Sequence, residues 1–286
     1  YLYFLDNEIL SFITFSFIVF MLGIFSDLKV IKSANYKFLL QILLILSYVV
    51  FNNVQISNTR IYLLDIVLSN NFFNYFFVTF CLLIVVNGTN FIDGMNTLSI
   101  GHYLSISFII FLLNFNNQIQ INDISIIYIV ILLVCAFALN MCNQLYLGDS
   151  GSYLLGFSFS TFLISIYNWN PAISPFFIIL LLLYPCYENL FSILRKNILK
   201  RSPMNPDAMH IHQLIFFYIV KKFKFKTITA NLLTAQIINL FNLSIFLIGM
   251  KFISNTQIQA LLILFSISIY TGAYFKLFVF KYKKGI

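Results

Sequence analysis

The chain has 286 residues, 60% hydrophobic, 19% aromatic and 9% charged, with a formal net charge of +8. A soluble domain carries about a quarter charged residues, so this composition does not cover a water-facing surface. It excludes a secreted disulfide scaffold, a free-standing nucleic-acid binder and a disordered tail protein, and it points to an all-α polytopic membrane protein.

Apolar stretches, set against the roughly 20 residues that span a bilayer core, predict about nine membrane helices. They fall at 9–25, 36–51, 72–86, 97–113, 124–139, 151–167, 173–191, 228–248 and 258–280. Several are short, so their polar flanks must extend them. The chain opens at Tyr1, with neither Met nor the basic start of a signal peptide, and N-terminal helices are expected to be missing. Residues 1–286 read as one transmembrane domain. Cys81, Cys135, Cys142 and Cys186 show no C-x-x-C spacing and read as buried packing residues.

Alternate loops fall into two sets. One set is 26–35, 87–96, 140–150, 192–227 and 281–286 and, with Lys37 at its margin, holds 14 of the 17 Lys and Arg residues. The other holds only Arg60 and Lys251, with Lys276 in the last span. The positive-inside rule makes the first set cytoplasmic. The charge therefore marks topology and attraction to anionic lipid and substrate, and no nucleic-acid partner is expected.

The polar clusters lie in that first set. Asp27 follows Gly23-Ile-Phe-Ser26. Asn87-Gly-Thr-Asn90-Phe-Ile-Asp93-Gly94-Met-Asn96 links the third and fourth spans, and Gly148-Asp149-Ser150-Gly151-Ser152 opens the sixth. The long 192–227 loop contains Pro206-Asp207-Ala-Met-His210-Ile-His212-Gln213. A glycine-rich helix start offers free N–H groups to an anion such as a diphosphate. Asp149 can hold a divalent cation beside it, because Mg²⁺ takes one or two carboxylates plus substrate oxygens. Asn90 and Asp93 share a side if helical, whereas His210 and His212 share one only if extended.

Plainer readings stand beside these. Asp27 could cap a helix or pair with Lys29 or Lys32, and Asp149 with Ser150 could cap the sixth span. His-Ile-His could be solvated surface, and Glu188 could snorkel to the interface.

The order of these motifs resembles the polyprenyl-phosphate N-acetylhexosamine-1-phosphate transferases of glycosyltransferase family 4. That group includes phospho-MurNAc-pentapeptide transferase and the O-antigen- and capsule-initiating enzymes, and this chain is more similar to the latter branch. The resemblance runs from about Gly23 to Gln213. It implies a multi-pass bacterial inner-membrane enzyme with a cytoplasmic site. Such an enzyme passes a sugar-1-phosphate from a UDP-N-acetylhexosamine to undecaprenyl phosphate, releases UMP, and uses Mg²⁺ (Mn²⁺ as a second candidate). Carried onto this sequence, the resemblance implies metal ligands Asp149 and Asn90 and catalytic roles for Asp27, Asp93, His210 and His212. It implies substrate contacts at Asn87, Asn96, Tyr146, Gly148, Ser150, Gly151 and Asp207, with Tyr146 stacked on uracil.

Four positions depart from the pattern. Ser26 stands for the first of two aspartates, Gln213 for a third histidine, Ala208 for an arginine and Glu188 for an aspartate. Two rival readings follow: a degenerate paralogue that binds nucleotide sugar or lipid phosphate without turnover, and a small-solute transporter. The transporter would place charge near the bilayer midplane, where this sequence has little. Many helices and few exposed charges would also suit a homodimer.

Overall fold

The computed structural model describes residues 2–119, 123–200, 202 and 207–282. Every regular element among them is a helix. In chain order these are α1 (Leu2–Asp27), α2 (Ala34–Phe51), α3 (Tyr62–Leu68), α4 (Asn71–Ile92), α5 (Leu98–Phe115) and α6 (Asp123–Met141). There follow α7 (Gly148–Trp169), α8 (Pro175–Leu181), α9 (Leu183–Ile198), α10 (Ile211–Phe223), α11 (Thr227–Lys251) and α12 (Thr256–Tyr282).

Each of the nine expected spans corresponds to helix, but the count needs correction. Six helices (α1, α2, α4, α5, α11 and α12) are long and apolar enough to cross a membrane, and α8 with α9 makes a seventh if the bent pair is one span. The expected span at 124–139 is a shorter apolar helix. The one at 151–167 lies in α7, which is rich in hydroxyls. Ser152, Ser160 and Thr161 return their hydroxyls to the carbonyls of Gly148, Gly156 and Phe157 at 2.7, 2.6 and 2.8 Å, which satisfies them inside the helix.

The bend between α8 and α9 has a local cause. Pro185, in the first turn of α9, has no N–H for the carbonyl four residues back, and its ring crowds that carbonyl. The chain breaks at Leu182 and turns by 73°. Pro175 at the start of α8 is at a position where its missing N–H costs nothing. The 192–227 loop is not all loop: it contains α10, whose apolar run is too short to span a bilayer.

The chain divides into two compact units. The first comprises residues 1–90 and 147–171 and buries Val19, Leu22, Tyr48, Leu82, Tyr153 and Phe157 in its core. In it α1 runs against α7 closely enough that a Cβ on Gly23 would lie 2.3 Å from the Ser150 Cα. Only glycine permits that approach, and it brings the C-terminal end of α1 to the first turn of α7. The second unit comprises residues 91–146 and 172–286 and buries Ile92, Leu98, Tyr184, Leu214, Ile238 and Tyr270. Within it, α5 is buried along most of its length against α6 and α11.

Candidate active site

In the first unit the polar groups converge on Asp149, the second residue of α7. Its Oδ2 accepts from the Lys37 ammonium at 2.7 Å, the Ser26 hydroxyl at 2.5 Å and the Tyr153 hydroxyl at 3.2 Å. Its Oδ1 accepts from Asn90 Nδ2 at 2.6 Å, and Lys37 also donates to Ser26 Oγ at 3.0 Å. Burial pushes the Asp149 carboxyl up, but the Lys37 ammonium and the Ser26 and Asn90 donors outweigh burial and hold it below its usual range.

The head of α7 differs from expectation in one respect. The N–H groups of Asp149 and Ser150 are not free for a diphosphate: they donate to Oδ1 and Oδ2 of Asp27 at 2.9 and 3.1 Å. A carboxylate from α1 already serves as the anion at this helix start. Asp27 is therefore a cap, as one plain reading had it, but of α7 rather than a partner of Lys29 or Lys32. Gly148 makes room for it. The residue sits at φ +61°, and a Cβ there would meet Asp27 Oδ2 at 2.8 Å. The hydroxyl of Ser150 turns back to the Leu147 carbonyl, Gly151 donates its N–H to the same carbonyl, and Asn87 donates to the Leu83 carbonyl.

The second unit holds the histidines. His210 has extended backbone just before α10 and His212 lies in its first turn, so both rings face one way and stack at 5.5 Å. The His210 N–H donates to Gln213 Oε1 at 3.1 Å, so the residue that stands for a third histidine caps the helix. Glu188 does not snorkel. It is 1% exposed, with Oε1 2.7 Å from His210 Nδ1 and Oε2 accepting from Tyr270 at 2.6 Å. His212 is fully buried, and burial pushes its ring down to about 4 against the pull of Glu188, so it is neutral near pH 7. Neither histidine is solvated surface. Asp207 receives Arg195 through both oxygens, at 2.9 and 2.7 Å, which locks it as a loop anchor. Pro206 lies outside the described residues.

Of the remaining candidates in this unit, Asp93 is half-buried in the turn after α4, and Tyr146 is 73% exposed, with an open ring face. Asn96 donates through its side chain to the Asn140 carbonyl at 3.1 Å and to Asn143 Oδ1 at 2.6 Å, tying the start of α5 to the end of α6. Among the described residues no three His, Cys, Asp or Glu side chains gather as a metal cage. The donors around Asp149 are hard oxygens, from a carboxylate, an amide and a hydroxyl. They fit a cation of the Mg²⁺ type that takes most of its ligands from substrate and water.

Sequence reading missed Lys37, counted only as marginal charge, and it missed Arg195 and Tyr270, which look like a topology signal and core packing in one dimension. A lysine ten residues after an aspartate carries no signal until α1 and α2 place it beside α7.

The sequence pattern of the family described as glycosyl transferase family 4 matches residues 9–167. The chain belongs to glycosyl transferase family 4. The family match takes in α1 to α7 almost entirely, with the whole Asp149 cluster, and ends before the histidine segment. The chain is 27% identical over 71% of its length to the probable undecaprenyl-phosphate N-acetylglucosaminyl 1-phosphate transferase of Bacillus subtilis, of which the match covers 57%. It is 32% identical over 35% of its length to the undecaprenyl-phosphate alpha-N-acetylglucosaminyl 1-phosphate transferase of Thermotoga maritima, of which the match covers 32%. A third family relative, the decaprenyl-phosphate N-acetylglucosaminephosphotransferase of Mycolicibacterium smegmatis, is 28% identical over 45% of the chain and matched over 37% of its own length. The chain thus spans little more than half of the first of these and about a third of the others. No solved structure matches it.

Proposed function

We propose that the chain transfers an N-acetylhexosamine-1-phosphate, N-acetylglucosamine-1-phosphate first among the candidates, from its UDP-linked form to undecaprenyl phosphate. An oxygen of the lipid phosphate attacks the β-phosphorus of the UDP-sugar. The bond from that phosphorus to the bridging oxygen breaks, UMP leaves, and a lipid-linked sugar diphosphate remains. Such a product is the starting unit of an envelope polysaccharide such as an O-antigen. The lipid stays in the bilayer and the nucleotide sugar in the cytosol, so the reaction belongs at the cytoplasmic face of the inner membrane, the side marked by the basic loops.

The observation that carries this reading is the Asp149 cluster with Lys37, Ser26 and Asn90, in the segment that the family match covers. In this displacement negative charge is carried by the non-bridging oxygens and builds on the leaving UMP oxygen, so the protein's work is alignment and charge neutralisation. Asp149 and Asn90 would hold Mg²⁺, with Mn²⁺ as the second choice; when bound, the ion offsets the charge of the diphosphate. Lys37 brings a fixed positive charge to the same carboxylate, and Asp27 fixes the start of α7 that carries it. His210, with Asp93, is the group proposed to meet substrate phosphate, while His212, neutral and fully buried, supports the His210 ring by stacking on it. The exposed ring of Tyr146 offers a stacking face to uracil, whereas the side chains of Asn87 and Asn96 and the start of α7 at Ser150 and Gly151 already spend their donors inside the protein.

Ser26 does not defeat this chemistry. A phosphate monoester has its second pKa near 6 and is mostly a dianion at neutral pH, so a general base has little proton to remove. The test is UMP release by the purified chain with undecaprenyl phosphate, Mg²⁺ and a panel of UDP-sugars. Release that needs the lipid and disappears in Asp149→Ala supports the reading. UDP-sugar binding without release would favour the non-catalytic paralogue instead.

A further inference from the structure

Three side chains of α12 reach the segment that carries the histidines or the groups that hold it. Tyr270 donates to Glu188 Oε2, and Glu188 Oε1 lies 2.7 Å from His210 Nδ1. Four residues on, the Tyr274 hydroxyl receives Arg195 Nη1 at 3.0 Å, and the same guanidinium grips Asp207 and donates to the Met209 carbonyl. Lys281 Nζ donates to the Ala208 carbonyl at 2.9 Å. Positions i, i+4 and i+11 share one helical face, so α12 holds residues 207–210 at three points. All of these residues lie beyond the segment that the family match covers.

The chemistry of Glu188 fixes what this clamp does. A carboxylate this deeply buried is costly unless its oxygens are met by donors. Ionised, it accepts only. Tyr270 supplies the proton to one oxygen, so the proton between Glu188 Oε1 and His210 Nδ1 belongs to the imidazole. The other ring nitrogen, Nε2, is 3.6 Å from Asp207 Oδ1, beyond an ordinary hydrogen bond, and both Asp207 oxygens are already held by Arg195. Stacking on His212 at 5.5 Å and a tilted contact with the Phe91 ring at 5.4 Å hold the ring plane.

We infer that Glu188 and Tyr270 are positioning residues for His210: they hold one proton on Nδ1, so that the second proton, when the ring takes it up, sits on Nε2 and is donated to substrate phosphate. The inference rests on the reading that His210 takes part in sugar-phosphate transfer. Carboxylate-bound imidazoles elsewhere are oriented in the same way, through the nitrogen that does not do the chemistry.

Two readouts on the full chain in detergent test it separately. The chain has only three histidines, so ¹⁵N-histidine labelling gives few signals, and His210→Asn assigns the one needed. At alkaline pH His210 is expected to carry its proton on Nδ1 in the parent and to lose that state in Glu188→Met, with Tyr270→Phe and Glu188→Asp falling between. Protonation on Nε2 in the parent, or a His210 signal indifferent to Glu188→Met, overturns the inference. In turnover with UDP-N-acetylglucosamine and undecaprenyl phosphate, Tyr270→Phe should lower kcat about tenfold, the scale of one hydrogen bond, without moving KM. A change in KM alone would make Tyr270 a binding residue and also overturns it. If the parent releases no UMP, the transfer reading fails while the spectra still decide the tautomer.

Discussion

Ser26 stands where the family resemblance places an aspartate, and its hydroxyl closes a ring of contacts with Lys37 and Asp149. A carboxylate there would add a second negative charge beside Asp149 with the same single ammonium to balance it. Because the lipid phosphate is already ionised, Ser26→Asp is expected to change the initial rate of UMP release by less than about tenfold. General-base help is worth roughly 10²–10⁴-fold where it is needed, and a gain of that size would refute the argument. Lys37 has a sharper signature. Against the upward push of burial, its hydrogen bond and charge are the foremost influences that keep the Asp149 carboxyl low. The ionised form therefore survives until pH falls through that depressed value, and Lys37→Met should move the acid limb of the pH–rate profile to higher pH. An unmoved limb would show that Lys37 does not act on Asp149. At Gly148 the left-handed backbone and the nearby Asp27 leave no space for a side chain. Gly148→Ala should lower the thermal midpoint by an amount corresponding to about 1–2 kcal/mol, and a neutral substitution would mean that Asp27 does not cap α7.

The elements were legible in proportion to their length. The long apolar helices α1, α2, α4, α5, α11 and α12 announce themselves by composition, because nothing else can satisfy a backbone in lipid. Short elements do not. α3 and α10 lie inside segments read as loops, since an apolar run of 13 residues falls short of a span and its neighbours are basic. The bend at Leu182 had a visible cause in Pro185, but a single proline does not say how far a helix will turn. The site was legible as motifs and not as partners. Asp149, Asn90 and His210 stand in recognisable order, whereas Lys37, Arg195 and Tyr270 gain meaning only from packing between distant helices. Gln213 illustrates the same limit: as a departure from a histidine it suggested lost function, and in place it caps α10. Gln213→Ala should cost about 0.5–2 kcal/mol of local stability and raise amide exchange in the first turn of α10, leaving α11 unchanged. Equal exchange in both proteins would contradict the cap.

For the whole molecule, the placement of charge sets orientation, and Cys142 offers a direct check. Like Cys135, it is exposed rather than buried as its apolar surroundings in sequence suggested, and it lies just past α6, in the loop whose set holds most of the Lys and Arg residues. A membrane-impermeant maleimide should modify Cys142 from the cytoplasmic side only, and labelling from the outside would reverse the orientation. Everything proposed about chemistry depends on a single event, the formation of UMP from a UDP-sugar and a lipid phosphate. The decisive measurement is UMP release by the purified chain with UDP-N-acetylglucosamine, undecaprenyl phosphate and Mg²⁺, run beside Asp149→Ala. The account predicts release that requires the lipid and is lost in the variant. Release that persists undiminished in Asp149→Ala, or none from the parent with any UDP-sugar, would contradict it.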